Sequence, residues 1–395
     1  MKKNLFSFAV MLTGAALLTG CINSDDDARP TSWQAYDSKG AYVVCGGELS
    51  SLSYINYETQ TAEQQVFQKA NGSHLGSNAN DVIIYGSKMY IVVSGENAIE
   101  VVDPKTRASI RKISTLELMG STQGVNPRHI AAANGMVYVS TYGDSTCEYD
   151  EDGNMMTSGK GYVAAIDTTS FNLKNTYGVG SYPEGLYVTT ENLYVANSDN
   201  GACTNASISV INLSSGEETQ KKHDNIRNPQ DIVVLANGNY FVLDWGESDA
   251  EGKQMNAGAY LVRGNDVIKQ IENATMWAPV TLSNGYYAES YIFTGNAPKG
   301  SSTATYECYN ITSGSRVTFT TDGVFCPTAI GVDPIYGHVL IASYKENEET
   351  KLPDYNANGY VKVYNQKGEC LKELDCGVHP NAFAFNICIE TYTLQ

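Results

Sequence analysis

The sequence is poor in most of what would point to familiar chemistry. Only 17% of its 395 residues are charged, and 43 acidic residues face 26 basic ones, a formal net charge of -17. Such a field repels phosphate backbones and argues against nucleic-acid binding. No stretch carries sustained helical periodicity, which leaves strands to build the fold. There is no GxSxG elbow, no HExxH, no P-loop and no GxGxxG between a strand and a helix, so the common hydrolase, metalloprotease and nucleotide sites are missing. No CxxC spacing occurs among the 9 cysteines, which disfavours zinc and thioredoxin-like readings. Tryptophan numbers only 3 against 27 tyrosines, a residue that suits strands and binding loops equally.

What is present begins at the N-terminus. Lys2-Lys3 precedes an apolar run, Leu5–Leu18, that is short for a membrane span and shaped like a signal h-region. Leu18-Thr19-Gly20-Cys21 resembles a bacterial lipobox, which implies removal of residues 1–20 and lipidation of Cys21. Ile22-Asn23-Ser24-Asp25-Asp26-Asp27 resembles the export tag of Bacteroidetes surface lipoproteins. That resemblance implies an outer-membrane lipid anchor facing the cell exterior, with residues 21–38 as a flexible acidic tether. Losing residues 1–20 leaves 24 basic against 43 acidic residues. Eight cysteines remain, and an even number in an exported chain permits disulfides. Loop positions make Cys147 and Cys203 the leading pair.

The body of the chain repeats. Asn126–Tyr142, NPRHIAAANGMVYVSTY, reads as a short strand, an Asn134-Gly135 turn and an alternating strand. Relatives start at Asn78, Tyr182, Asn228, Trp277, Cys326 and His379. Aligned on the anchor proline, or on Ala79 where proline is missing, they fall at 79, 127, 183, 229, 279, 327 and 380. A period near fifty (~50) residues with several short strands is the signature of a β-propeller, whose blades are four-stranded sheets. Ala98–Asp103, Gly161–Asp167, Ser207–Asn212, Gly258–Val262 and Gly359–Tyr364 fit third strands. Phe171–Tyr177 and Glu369–Leu374 fit outer ones. Gly40–Cys45 lacks a preceding partner, which Ala382–Asn386 supplies, while Ser51–Tyr57 and Gln64–Gln68 complete that blade. The expected fold is all-β: one seven-bladed β-propeller over residues 39–395, closed by its N- and C-terminal strands. The closure also suggests Cys45 near Cys388.

The blades resemble YncE-like seven-bladed propellers and their Bacteroidetes lipoprotein relatives over roughly residues 40–386. The echoes are SLSYINYETQTAEQQVF, ANGSHLG, DVIIYGSKMYIVV, IEVVD, PEGLYV and NPQDIVV. One subgroup of that family, BtuG-type proteins, captures cobalamin and passes it to an outer-membrane TonB-dependent transporter. The resemblance therefore implies a corrinoid ligand, with no cofactor required for catalysis and such a transporter as partner. The Asn-Glu-Gly-Asn opening of many relatives is replaced here by Cys45-Gly46-Gly47-Glu48.

In a propeller the connections between second and third strands, and between successive blades, share one face. That face receives the long insertions Tyr142–Lys160, Asn197–Ala206, Asp244–Ala257, Thr294–Thr303 and Ser343–Asn358, where binding usually resides. It also receives the aromatics Tyr142, Tyr149, Tyr182, Trp245, Trp277, Phe325, Tyr344 and Tyr355, suited to a large, partly apolar ligand or a sugar ring. Residues following the anchors place Asn80, Arg128, Glu184, Gln230, Val280, Thr328 and Asn381 at the channel mouth. Asp81, His129 and Asp231 come next but come from separate blades, and structural roles are expected for them rather than a metal site. Asp150-Glu151-Asp152-Gly153 lacks an EF-hand pattern. His74 and His379 lie in inter-blade loops, where a lone histidine is more often simply exposed than in contact with a ligand. The residues favour a non-enzymatic capture protein, with a glycan- or protein-binding propeller and a calcium-dependent lactonase as alternatives.

Overall fold

The computed structural model describes residues 32–249, 251–283, 288–297, 304–321 and 323–393. The signal segment, the lipobox with Cys21, and the tether up to residue 31 lie outside them. The repeated hairpin forms as its residues require. In blade three, Pro127–Ala133 and Met136–Thr141 are joined by Asn134 and Gly135 at φ 54° and 75°, so that Ala133 pairs with Met136. A two-residue turn matching the twist of its strands needs positive φ at both positions, where Asn and Gly are least penalised.

The described residues build seven four-stranded antiparallel sheets and two two-stranded hairpins. The innermost strands are Ala79–Tyr85, Pro127–Ala133, Pro183–Val188, Pro229–Val234, Met276–Ser283, Cys326–Val332 and Pro380–Thr393. Six of the seven anchors stand first or second in their strand; Pro279 sits further in. The apolar faces of adjacent blades meet in successive seams. Tyr42, Leu52 and Tyr54 of blade one pack on Val82, Met89 and Ile91 of blade two, whose other face (Tyr90, Val92, Ile99) packs on Ile130, Val137 and Val139. Burial is thus distributed around a ring, and no single blade is stable alone, because each hides its apolar surface only against its neighbours.

Closure follows the expected pairing. Blade one has the order Thr61–Glu63, Ser51–Asn56, Ser32–Cys45, Pro380–Thr393, with Ala41 opposite Phe385 and Val43 opposite Phe383. Both closing strands run past the blade. Residues 32–38, expected as tether, pair with residues 387–393 in a two-stranded arm on the face opposite the long loops. The arm is pinned to a turn of blade seven: Ser38 Oγ donates to Asp333 Oδ2 (2.5 Å) and Tyr336 donates to Asp37.

Three expectations are corrected. Gln64–Gln68 is not the fourth strand of blade one. That strand is Thr61–Glu63, and Val66–Asn71 forms a short helix burying Val66 and Phe67. A second helical segment, Thr115–Gln123, broken at Gly120 (φ 87°), is started by Ser114, whose side chain accepts from Glu117 N at 3.2 Å. At nine residues it is too brief to show a period in the sequence. Cys45 and Cys388 do not approach: Cys45 stands opposite Pro380 and Cys388 opposite Asp37, eight strand positions away, roughly 26 Å at ~3.3 Å per residue.

Candidate functional site

The inner strands converge on a central channel, and two adjoining cavities of ≈ 510 Å³ and ≈ 1090 Å³ occupy it and its mouth. They share Asn80, Arg128, His379 and Asn381. All seven residues that follow the anchors line one or both, including Glu184, Gln230, Val280 and Thr328. A repeat whose strands all point inward at the same register puts equivalent positions on one rim, which is why the alignment located them.

A charged network organises the rim. Glu184 is buried and central to it. Its Oε2 accepts from Arg128 Nε at 3.0 Å and lies 3.5 Å from His129 Nε2; its Oε1 accepts from the Tyr142 hydroxyl at 2.5 Å. Arg128 Nη1 donates to Asn80 Oδ1 (3.0 Å), Asn80 Nδ2 donates to the Arg128 carbonyl (2.8 Å), and the guanidinium lies 5.1 Å over the Tyr142 ring. His129 Nδ1 lies 3.2 Å from Asp81 Oδ2. Burial alone would lower the His129 pKa, but hydrogen bonds and charge from Asp81 and Glu184 outweigh it and lift it to about 10, so the ring is an imidazolium at neutral pH. Burial would likewise raise Glu184, and the bonds and charges of His129, Arg128 and Tyr142 hold it below the ordinary range.

Asp231 stands beside this network, in the next blade and against Gly185. Burial raises its carboxyl, against the bond from Trp277 Nε1 to Oδ2 at 2.7 Å. Asp81 also accepts from Ile130 N of the next blade (3.0 Å), the inter-blade role the sequence suggests for it, whereas the backbone bond of Asp231 comes from its own neighbour, Ile232 N (2.8 Å). Trp277 is buried, and with Phe241, Leu243 and Ile292 it forms the seam between blades five and six. Asn381 Nδ2 donates to the Ala79 carbonyl (2.8 Å), whereas its Oδ1 is buried with no hydrogen-bond partner among the described residues.

The loops are held firmly over this rim. Asp199, buried in the blade-four loop, accepts from Thr157 of the blade-three hairpin, Ser181 Oγ (3.0 Å), Thr204 N (2.9 Å) and Asn205 N (2.6 Å). Asp244, lifted by burial to about 6, accepts from Asn228 N at 2.6 Å. Trp245 keeps 43% of its surface exposed while its Nε1 donates to the Thr275 carbonyl (2.8 Å).

Of the proposed contact residues, Asn80, Arg128, Tyr142, Glu184, Gln230, Trp245, Trp277, Tyr355 and Asn381 line the cavities. Tyr149, Tyr182, Phe325 and Tyr344 do not. Tyr182 packs edge-on against Tyr142 at 4.8 Å, and Tyr344 stands behind the wall, its hydroxyl 2.7 Å from His379 Nδ1 and its ring 4.9 Å from Tyr355. Tyr149 and Phe325 are exposed on the outer loops. His74 is exposed beside Gln68, outside the cavities; His379 lines both, its pKa lowered by burial. The sequence marks Gly46-Gly47-Glu48 as a departure from the family opening but not as a site wall, and it does not single out Met276 or Phe383, which do not stand out by type. All eight cysteines of the described residues, Cys147 and Cys203 among them, are thiols. The Cys203 sulfur turns to the carbonyls of Gly201 (3.2 Å) and Gly246 (4.0 Å), toward blade five and away from the blade that carries Cys147.

Seven sheets around a channel, with built-up loops at one end, define a β-propeller scaffold. The chain belongs to the family described as a domain of unknown function (DUF5074), whose model spans residues 39–386. No curated protein matches it in sequence. Among solved structures, it is similar to a putative 6-phosphogluconolactonase from Bacteroides uniformis (TM-score 0.53, 13% identity, covering 90% of this chain and 100% of that one). It is also similar to a hypothetical selenium-binding protein from Sulfolobus tokodaii (TM-score 0.55, 11% identity, 89% and 94%). The hydrazine synthase of Kuenenia stuttgartiensis shares the likeness (TM-score 0.51, 12% identity, 80% and 96%). At these identities the likeness is one of fold.

Proposed function

We propose that the protein is a non-enzymatic capture protein, lipid-anchored at Cys21 on the outer membrane and facing outward. It binds a bulky small molecule in the funnel, with cobalamin or another corrinoid as the leading ligand, for delivery to a TonB-dependent transporter. The observation that carries this reading is the joined pair of cavities, ≈ 510 Å³ and ≈ 1090 Å³, whose sum exceeds the ~300–1,000 Å³ of pockets for drug-sized ligands. Their walls combine aromatic surface (Trp245, Trp277, Tyr355, Phe383) with fixed polar groups, among them the unpartnered Asn381 Oδ1. An amide-fringed macrocycle offers N–H donors for that acceptor and an apolar face for the rings. Loops already tied down by Asp199 and Asp244 lose little freedom on binding.

Calorimetric and absorbance titration with cyanocobalamin tests this directly; neither heat nor spectral change at micromolar protein sinks the corrinoid assignment. Trp245→Ala should weaken binding about tenfold, the ~1.4 kcal/mol of one stacked ring lost from a partly exposed wall. A glycan reading draws on one further observation, the exposure of Tyr149, Trp245, Phe325 and Tyr355 on the loop face. Retardation in polysaccharide gels without cobalamin binding would favour it.

A further inference from the structure

We propose that Cys45 and Cys376 form a disulfide that fastens blade seven to blade one at the funnel wall. Cys45 ends the second strand of blade one and Cys376 lies in the outer strand of blade seven, Cys370–Val378; both are 0% exposed and belong to one apolar cluster. The strand is irregular at this point. Asn358 pairs with Val378 and Tyr360 with Asp375, so Cys376 and Gly377 share the place of one residue in a bulge. Bulges re-aim side chains, and this one turns Cys376 inward from a strand whose preceding residues are mostly exposed. Gly377 then presses on Cys45 so closely that a Cβ there would lie 3.0 Å from Cys45 Cβ and 3.1 Å from its sulfur.

The two sulfurs interact with each other. Cys45 Sγ also makes long contacts to the Val43 carbonyl (3.7 Å) and Ser53 Oγ (4.0 Å), and Cys376 Sγ reaches the Gly377 carbonyl (3.6 Å). Contact with Cys45, together with burial, pushes the Cys376 thiol above its ordinary value, while the same contact holds Cys45 below its own, as expected of two sulfurs facing each other in a dry seam. The flanking backbone is already laced: Gly46 N donates to the His379 carbonyl (2.8 Å) and Gly377 N to Ser53 Oγ (3.2 Å). The bond would therefore hold Gly46, Gly47, Glu48, His379 and Asn381, the wall of the smaller cavity, from behind.

The chemistry is a two-electron oxidation. One thiolate attacks the disulfide of an extracytoplasmic thiol–disulfide oxidoreductase and expels one of its thiolates; the second cysteine then attacks the mixed disulfide. The S–S bond forms, the two thiols lose two protons and two electrons, and the oxidoreductase leaves as a dithiol. Because both residues are inaccessible once blade seven docks, the exchange belongs to folding. It rests on the export reading, since a reducing compartment would keep the thiols apart.

The test is non-reducing peptide mapping of the full chain. One sample comes from an exporting bacterial host with its own leader, and the other is refolded in a glutathione redox buffer. The expected result is a peptide linking Cys45 to Cys376, about 2 Da lighter than the two thiol peptides together. Cys45→Ser and Cys376→Ser should each abolish it, and should lower the thermal midpoint by a few degrees (~2–4 °C) in oxidising but not in reducing buffer. Quantitative alkylation of both thiols in both samples overturns the pairing on its geometry. A link in the refolded sample but not in the cellular one overturns it as a native bond, through failure of the export reading.

Discussion

Glu184→Gln is the most informative single perturbation of the rim. The side chain keeps its shape and loses its charge, and three partners lose an anion: Arg128 at 3.0 Å, His129 at 3.5 Å and the Tyr142 hydroxyl at 2.5 Å. Removing one member of a buried ion pair costs ~3–5 kcal/mol. Arg128 and His129 keep 28% and 32% of their side-chain surface, so water screens part of that, and a loss of about 2–4 kcal/mol at pH 7 is expected. The pH profile adds a signature. With His129 raised from 6.5 to about 10, its stabilisation is fully present below pH 6.5 and drains away as pH rises through 10. Glu184, held below its ordinary 4.5, stabilises above that value and loses its effect as pH falls. The wild type should therefore be less stable at pH 10 than at pH 7. In Glu184→Gln that slope should shrink, because His129 titrates closer to its free value. Urea unfolding followed by tryptophan fluorescence at pH 5, 7, 8.5 and 10 measures both effects. A destabilisation below ~1 kcal/mol with an unchanged slope between pH 7 and 10 would refute the network as described.

Three further outcomes follow from packing and closure. Trp277→Phe keeps the seam filled but strips Asp231 of its 2.7 Å donor, so about 1–3 kcal/mol should be lost in denaturant titration and the Asp231 carboxyl should titrate higher by NMR. Gly185→Ala would place a methyl 2.2 Å from Asp231 Oδ1 and 2.8 Å from Asp231 Cα, costing more than about 2 kcal/mol, whereas Gly135→Ala has room and costs ~1 kcal/mol through its φ of 75°. Truncation before Pro380 removes the inner strand of blade one and should leave a protease-sensitive chain. Truncation before Ile387 sacrifices only the arm and should leave a cooperatively folded ring by circular dichroism.

The architecture was legible because its signals are local and repeated. Asn134-Gly135 dictates its turn, and the same register in seven copies placed Asn80, Arg128, Glu184, Gln230 and Asn381 on one rim. The closing strand was legible from the orphaned Gly40–Cys45, although nothing in its pattern announced that pairing continues to Ser32. What sequence spacing could not supply was the partnering of side chains. Tyr142 and Trp277 read as ligand platforms, yet each is committed to a carboxylate, Glu184 and Asp231 respectively. Cys45 and Cys388 were drawn together by strand order alone, which ignores that the closing strands run on past the blade and set the two cysteines eight positions apart.

The pairing of Val43 with Phe383 sets a timetable as well as a shape. Blade one cannot be completed until the strand around Phe383 is available, so a propeller emerging N-terminus first waits with an open edge on Ser32–Cys45. Joining ends this far apart adds little equilibrium cost, since each doubling of a loop costs only ~0.6 kcal/mol, but it makes the final step slow. Until that step the edge is a template for any extended strand. Stray pairing there, including with a second copy of the chain, is the failure most to be expected when synthesis outruns folding.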